Sequence, residues 1–216
     1  MHHVRMLLSV LLIACCAAML PAKSDAETMI FIASAPLAST NWNQTMSIPK
    51  FPLDSSCLES VCFRLEGHVQ GAARFESIDA APATVSMNLQ STITLQRPDG
   101  SILVTTIPLA QTVDNVAAFD GAIDFAGTSG KTYSDLSGDK TESACTSALA
   151  DRVLFTGSGD IVLPVAALGT SYGSGAGNLI LQFNTSASAQ AVVTYTYHCA
   201  VGVETSSWGQ VKSIYR

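Results

Sequence analysis

Over Val61–Gln70 and again over Val85–Leu95 the chain alternates apolar and polar residues with a period of two, and no other feature limits its fold so strongly. Val61, Phe63, Leu65, Gly67 and Val69 fall on one face, with Cys62, Arg64, Glu66, His68 and Gln70 on the other. Further on, Val85, Met87, Leu89, Ile93 and Leu95 oppose Ser86, Asn88, Gln90, Thr92 and Thr94. Successive side chains of an extended chain point to opposite sides, so this period belongs to strands with one buried face. Arg97-Pro98-Asp99-Gly100 then stops the second strand. Proline presets the turn angle, Asp99 caps the local backbone, and Gly100 accepts the positive φ that leads into Ile102, Leu103 and Val104, which makes a hairpin.

The rest of the chain continues in short extended segments. Thr28–Ser34 and Thr45–Phe51 read as strands, the latter with Pro49 placing it at an edge or a strand end. Ala118–Phe125 alternates Phe119, Gly121, Ile123 and Phe125 with Ala118, Asp120, Ala122 and Asp124, and is predicted to be a strand. The polar stretch from Gly127 to Cys145 is predicted to be a loop region, and Ala148–Arg152 one helical turn. Strands are then expected at Val153–Thr156, Ile161–Val165, Leu179–Phe183 and Ala189–Cys199, with a Gly/Ser loop at 169–177. Many short strands without convincing helical periodicity predict an all-β fold, an antiparallel β-sandwich, in a single domain over residues 27–200. The length of 216 residues suits one domain with a sizeable core.

The first 26 residues stand apart. Arg5 precedes an apolar run from Met6 to Leu20, and Ser24-Asp25-Ala26 offers small residues at the positions a signal peptidase reads, so residues 1–26 are expected to be a signal peptide. The run is shorter than the roughly 20 apolar residues of a spanning helix. A rival reading takes Leu12-Ile13-Ala14-Cys15 as a lipoprotein cleavage site with Cys15 lipidated. Residues 201–216 contain no apolar run, so a C-terminal tail without an anchor is expected. These features predict a secreted, extracellular protein, or a surface lipoprotein through Cys15.

Outside the leader lie Cys57, Cys62, Cys145 and Cys199, an even number that predicts two disulfides in an oxidising compartment. Of the three possible pairings, the local one joining Cys57 to Cys62 is preferred, leaving Cys145 with Cys199.

Charged residues are 13% of the chain, apolar ones 48%, and the net charge is −6. Loss of Arg5, Lys23 and Asp25 with the leader makes the remainder about one unit more acidic. An acidic domain with no basic run is a poor partner for nucleic acid or an anionic membrane.

Chemistry-bearing side chains are few. His68 shares a polar strand face with Arg64 and Glu66, and His198 adjoins Cys199, whose side chain points to the opposite face. Asp120 and Asp124, on one face of their expected strand, would be about 13 Å apart, too far to share an ion. Asp135, Asp139 and Glu142 form a loop set that could hold calcium, although no EF-hand spacing is present. Trp42, Tyr133, Tyr172, Trp208 and Tyr215 could stack on sugar rings if exposed, whereas Tyr195 and Tyr197 read as core. No phosphate loop, zinc spacing or nucleophile elbow appears, and neither a cofactor nor a catalytic residue is expected. Glu66, Glu76 and Asp120 are the carboxylates from which a glycoside hydrolase pair would be drawn.

Several segments taken in order resemble one known family. They are Asn41-Trp42-Asn43-Gln44-Thr45, the long strand ending in Arg97-Pro98-Asp99-Gly100, Ala118–Phe125, Leu154–Gly159, Leu163-Pro164-Val165, Gly173–Asn178 and Val193–Tyr197. Together they resemble the choice-of-anchor E domain of bacterial exported proteins, over about Asn41 to Tyr197. The resemblance implies an exported β-rich domain of unknown molecular function, carried by proteins with varied C-terminal surface anchors. The missing anchor signal and the four cysteines depart from that pattern. The expectation is a non-enzymatic secreted or cell-surface module making matrix or surface contacts, with a polysaccharide or a surface protein as partner. The alternative is an extracellular glycoside hydrolase.

Overall fold

A computed structural model describes residues 26–199. The expected leader, apart from Ala26, and the expected tail from Val201 lie outside the described residues. The elements are β1 (Glu27–Ser39), β2 (Trp42–Pro49), β3 (Leu58–Ser77), β4 (Ala83–Gln96), β5 (Ile102–Thr106), β6 (Leu109–Val116), β7 (Gly130–Thr146), α1 (Leu149–Leu154), β8 (Asp160–Gly169), β9 (Tyr172–Ser174) and β10 (Leu179–Tyr197).

They form two antiparallel sheets packed face to face, as the alternation predicts. One sheet has the order β1-β10-β3-β7; the other has β2-β8-β4-β5, with β6 and β9 also paired to β4. β5 and β6 are one strand interrupted at Ile107-Pro108, and β8 and β9 one strand interrupted at Thr170-Ser171. Both interruptions flank the same point of β4. Ser91 donates from its backbone to Pro108 and from its hydroxyl to Leu168, and Ser171 Oγ bonds Gln90. Counting each interrupted strand once gives eight, in the order first-eighth-third-sixth facing second-seventh-fourth-fifth, which is the jelly-roll arrangement of two Greek keys.

The core lies between the sheets. Met46, Ile48, Phe63, Leu65, Ile93, Leu95, Leu163 and Tyr195 are almost fully buried there. Each large apolar side chain so buried contributes about 1.5–3 kcal/mol. The registers of β3 and β4 follow the alternation, with Val61, Phe63, Leu65, Val85, Met87, Leu89, Ile93 and Leu95 all inside. The Arg97–Gly100 hairpin forms, with Asp99 Oδ1 accepting from the Ser101 amide. Pro49 closes β2, an edge strand.

Five expected elements come out differently, one of them the Gly/Ser loop expected at 169–177, which contains β9 paired to β4. Residues 117–129 form a loop rather than a strand at 118–125, because Asp120 caps the amides of Ala122 and Thr128 and Asp124 caps that of Ala126. Local carboxylate-to-backbone bonds of this kind outcompete a ladder. The polar stretch after Gly127 is strand β7, which lies at a sheet edge and needs few apolar side chains. α1 forms where a helical turn was expected but continues into Val153 and Leu154, displacing the strand expected at 153–156. β10 runs unbroken from 179 to 197, because Asn184–Ser188 supplies small side chains suited to the centre of a sheet, with Ala187 fully buried.

The disulfides join Cys62 to Cys145 and Cys57 to Cys199, with Cα separations of 4.0 and 4.6 Å. The local pairing fails because extended chain from Cys57 to Cys62 spans about 16 Å, beyond the roughly 7 Å limit for a bridge. Register decides instead: Cys62 faces Cys145 across β3 and β7, and Leu58 faces Tyr197 across β3 and β10, bringing Cys199 beside Cys57.

Candidate functional site

The outer face of the β1-β10-β3-β7 sheet carries a shallow groove of about 530 Å³ that crosses all four strands. Pairing places Ser34, Gln190, Glu66 and Thr141 in one row, and Ser188, His68 and Asp139 in the next. A bulge in β1 between Ala35 and Ala38 adds Pro36 and Leu37 to one wall. The surface is therefore built of hydroxyls, an amide, two carboxylates and an imidazole on a floor of small residues. Gln190 donates from its amide to Ser34 Oγ at 3.3 Å.

Charge in the groove is internally matched. Arg64 pairs with Glu66 at 2.7 Å along β3, and His68 Nδ1 meets Asp139 Oδ1 at 2.7 Å across to β7. His68 Nε2 also faces Gln70 Oε1 at 3.2 Å. Burial lowers the His68 pKa, but the hydrogen bonds with Asp139 and Gln70 and the Asp139 charge outweigh it, leaving it above the usual histidine value. With both ring nitrogens facing oxygen acceptors, the arrangement suits the imidazolium, which donates from both.

A second, smaller depression of about 220 Å³ lies on the same face, lined by Ala72, Arg74, Thr132, Gln182 and Asn184. Arg74 Nε donates to Gln182 at 2.5 Å, and its guanidinium sits 4.4 Å from the centre of the Phe125 ring. Phe125 has φ +58°, an uncommon conformation for an aromatic residue. It is held there by its amide bond to Glu76 and by Thr132 Oγ1 donating to its carbonyl.

Of the remaining candidates, His198 is half-buried after β10, its backbone amide bonded to Cys57. Asp120 and Asp124 serve the 117–129 loop rather than a strand face. Asp135, Asp139 and Glu142 lie on β7 rather than in a loop, where the odd-numbered pair and Glu142 face opposite ways; Glu142 pairs with Lys140. Among the described residues, no group of three or more His, Cys, Asp or Glu is placed to share a metal ion.

Of the three carboxylates considered for hydrolysis, Asp120 lies near Glu76, its amide donating to the Ser129 hydroxyl that bonds Glu76. Its carboxylate, however, is taken up by the Ala122 and Thr128 amides, and Glu66 is remote. Glu66 and Glu76 are ten residues apart on β3, about 33 Å along the strand, against roughly 5–10 Å for a glycosidase pair. Glu76 is fully buried, accepting from the Ser129 hydroxyl at 2.6 Å and the Phe125 amide at 2.8 Å.

Among the described residues, the aromatic candidates do not share a platform. Trp42 packs on the core and donates to Ala187 at 3.2 Å, Tyr133 bonds Asp114, and Tyr172 is exposed on β9. Trp208 and Tyr215 lie outside the described residues. Sequence reasoning missed the β10 half of the groove, although Gln182, Asn184, Ser186, Ser188 and Gln190 already repeat there with the strand period.

No helix among the described residues is long and apolar enough to cross a membrane. No family model matches the chain, and none of the curated proteins does. Among solved structures, it is similar to a structure of infectious bursal disease virus Gx strain, at 11% identity and a TM-score of 0.23, over 83% of this chain and 38% of that one. It is also similar to the infectious bursal disease virus VP2 subviral particle, at 11% identity and a TM-score of 0.18, over 87% of this chain and 47% of that one. The chain thus spans less than half the length of these two structures.

Proposed function

We propose that this protein is an exported, non-enzymatic β-sandwich module that makes matrix or cell-surface contacts by binding polysaccharide in the groove on the outer face of the β1-β10-β3-β7 sheet. The observation that carries the reading is the groove's lining. Ser34, Ser188, Thr141 and Gln190 offer hydroxyls and an amide that can both donate and accept, beside charges already paired with each other. Such a surface suits a ligand made of hydroxyl groups better than a strongly charged one. Export is supported by the leader pattern from Met6 to Leu20 and by two disulfides, which persist in oxidising compartments. The motif resemblance to choice-of-anchor E domains points the same way and rests on those motifs alone.

The test is retention of the disulfide-bonded protein in native gels cast with neutral or acidic bacterial exopolysaccharides, comparing wild type with the Ser188→Ala/Gln190→Ala variant. Retention of the wild type that the variant loses supports the reading. Free migration of both through every gel overturns it. Intact mass from the native source tests export: a chain beginning at Glu27 is released, and one beginning at a lipidated Cys15 is held on an envelope.

A further inference from the structure

The two depressions lie on one continuous feature. From Arg64 to Arg74, β3 and β10 pair without a register break, and their outward residues form rows: Glu66 with Gln190, His68 with Ser188, Gln70 with Ser186, Ala72 with Asn184 and Arg74 with Gln182. This polar track is about 33 Å long. The large groove occupies one part of it and the smaller depression the other. At its far end the 117–129 loop folds over Glu76, and Phe125 closes the track against Arg74.

Building on the polysaccharide reading, we infer that the two depressions are subsites of one track whose occupant is an uncharged, extended polysaccharide chain lying along the β3–β10 pair. Three observations select this occupant. First, where the large groove lies, β10 is paired with β1 on one side and β3 on the other, and β3 with β10 and β7, so the backbone groups there are consumed by ladders; beyond Ser186, toward Leu179, β10 is paired with β3. A peptide strand adds through a free sheet edge, so a ligand in the groove is read by side chains alone. Second, the β10 side presents Gln182, Asn184, Ser186, Ser188 and Gln190, neutral groups able to donate and accept, at the two-residue spacing of the strand. Third, most of the charge is already paired: Arg64 with Glu66 at 2.7 Å and His68 with Asp139 at 2.7 Å, while Arg74, the one cation of the track without a carboxylate among the described residues, is engaged by the neutral Gln182 and the Phe125 ring. A polyanion would meet Glu66 and Asp139, and a polycation would meet Arg64 and Arg74.

Calorimetry with the native, disulfide-bonded protein tests this, using cello-, malto- and β-1,3-gluco-oligosaccharides from disaccharide to octasaccharide, with alginate fragments as the polyanionic comparison. For at least one neutral series, affinity is expected to rise about tenfold once the chain reaches the second depression, equivalent to about 1.4 kcal/mol. The exposed-face variant Gln182→Ala/Asn184→Ala should abolish that rise. Binding that is independent of length and unaffected by this variant would overturn the two-subsite track and leave the single groove standing. Preference for alginate would overturn the uncharged occupant. Absence of binding at every length in every series would overturn the inference together with the polysaccharide reading.

Discussion

Arg97, at the end of β4, holds Asp151 of α1 by two parallel hydrogen bonds, Nε to Oδ1 at 2.7 Å and Nη2 to Oδ2 at 3.0 Å. Thr146 Oγ1 adds a third bond to Oδ2 at 2.7 Å. The carboxylate thereby ties the turn of one sheet to the end of the other. The Arg97 hydrogen bonds lower the Asp151 pKa more than burial raises it. Asp151→Asn should therefore cost about 2 kcal/mol near neutral pH, as loss of a partly buried charged hydrogen-bond pair. A depressed carboxylate pKa stabilises the fold above the unfolded value of about 4, and that contribution disappears as pH falls through the folded value. Urea unfolding at neutral and at acid pH should show the gap between wild type and variant narrowing in acid.

The two cross-links close 83- and 142-residue loops. Chain-entropy arguments give each about 4–5 kcal/mol as an upper value. Peptide mapping without reduction should recover Cys62 with Cys145 and Cys57 with Cys199. Melting of Cys62→Ala/Cys145→Ala and Cys57→Ala/Cys199→Ala variants should show a large loss for each pair.

Strand register in β4 is open to a sharp contrast. Leu89→Asp or Ile93→Asp puts a charge at a fully buried position and should prevent folding. Thr92→Asp, on the opposite face, should cost less than about 1 kcal/mol. Equal unfolding midpoints for the two sets would contradict the register.

Glu76 anchors the 117–129 loop from beneath. Glu76→Ala strands the Ser129 hydroxyl and the Phe125 amide and should cost about 2 kcal/mol. Limited proteolysis should then cut within 117–129 much faster than in the wild type.

For His68, titration followed by NMR should give a pKa above the ordinary histidine value, moving back toward it in Asp139→Asn. A raised folded pKa means the pair stabilises fully below the unfolded pKa and ceases to do so as pH rises through the folded one. The stability difference between wild type and Asp139→Asn should accordingly vanish in alkali.

Legibility in the sequence tracked how much of each strand is buried. β3 and β4 bury one whole face, so their period of two was readable residue by residue. β7, at an edge, presents Lys131, Asp135, Asp139 and Lys140 to solvent and carries too few apolar residues to look like a strand. In 118–125 a strand-like alternation was present, but Asp120 and Asp124 spent their carboxylates on neighbouring amides, a local bond that periodicity does not register. The groove was half legible: Glu66 and His68 stood on a recognised polar face. Their neighbours Ser188 and Gln190 come from more than a hundred residues away, and only pairing brings them alongside.

Glu27 and Tyr197 are register partners, with the Tyr197 hydroxyl donating to Glu27 at 2.6 Å, so the fold is entered and left at the same end. A pull on the two ends would therefore load the β1–β10 ladder as a zipper, opening one rung at a time, instead of shearing all its rungs together. Because Cys199 is fastened to Cys57 beside the start of β3, the tug on the far end is delivered to that anchorage, and β1 becomes the element that peels. The jelly roll behind it, with the track on β10 and β3, would stay shut while the first strand acts as a mechanical fuse and takes the Ser34–Leu37 wall of the groove with it.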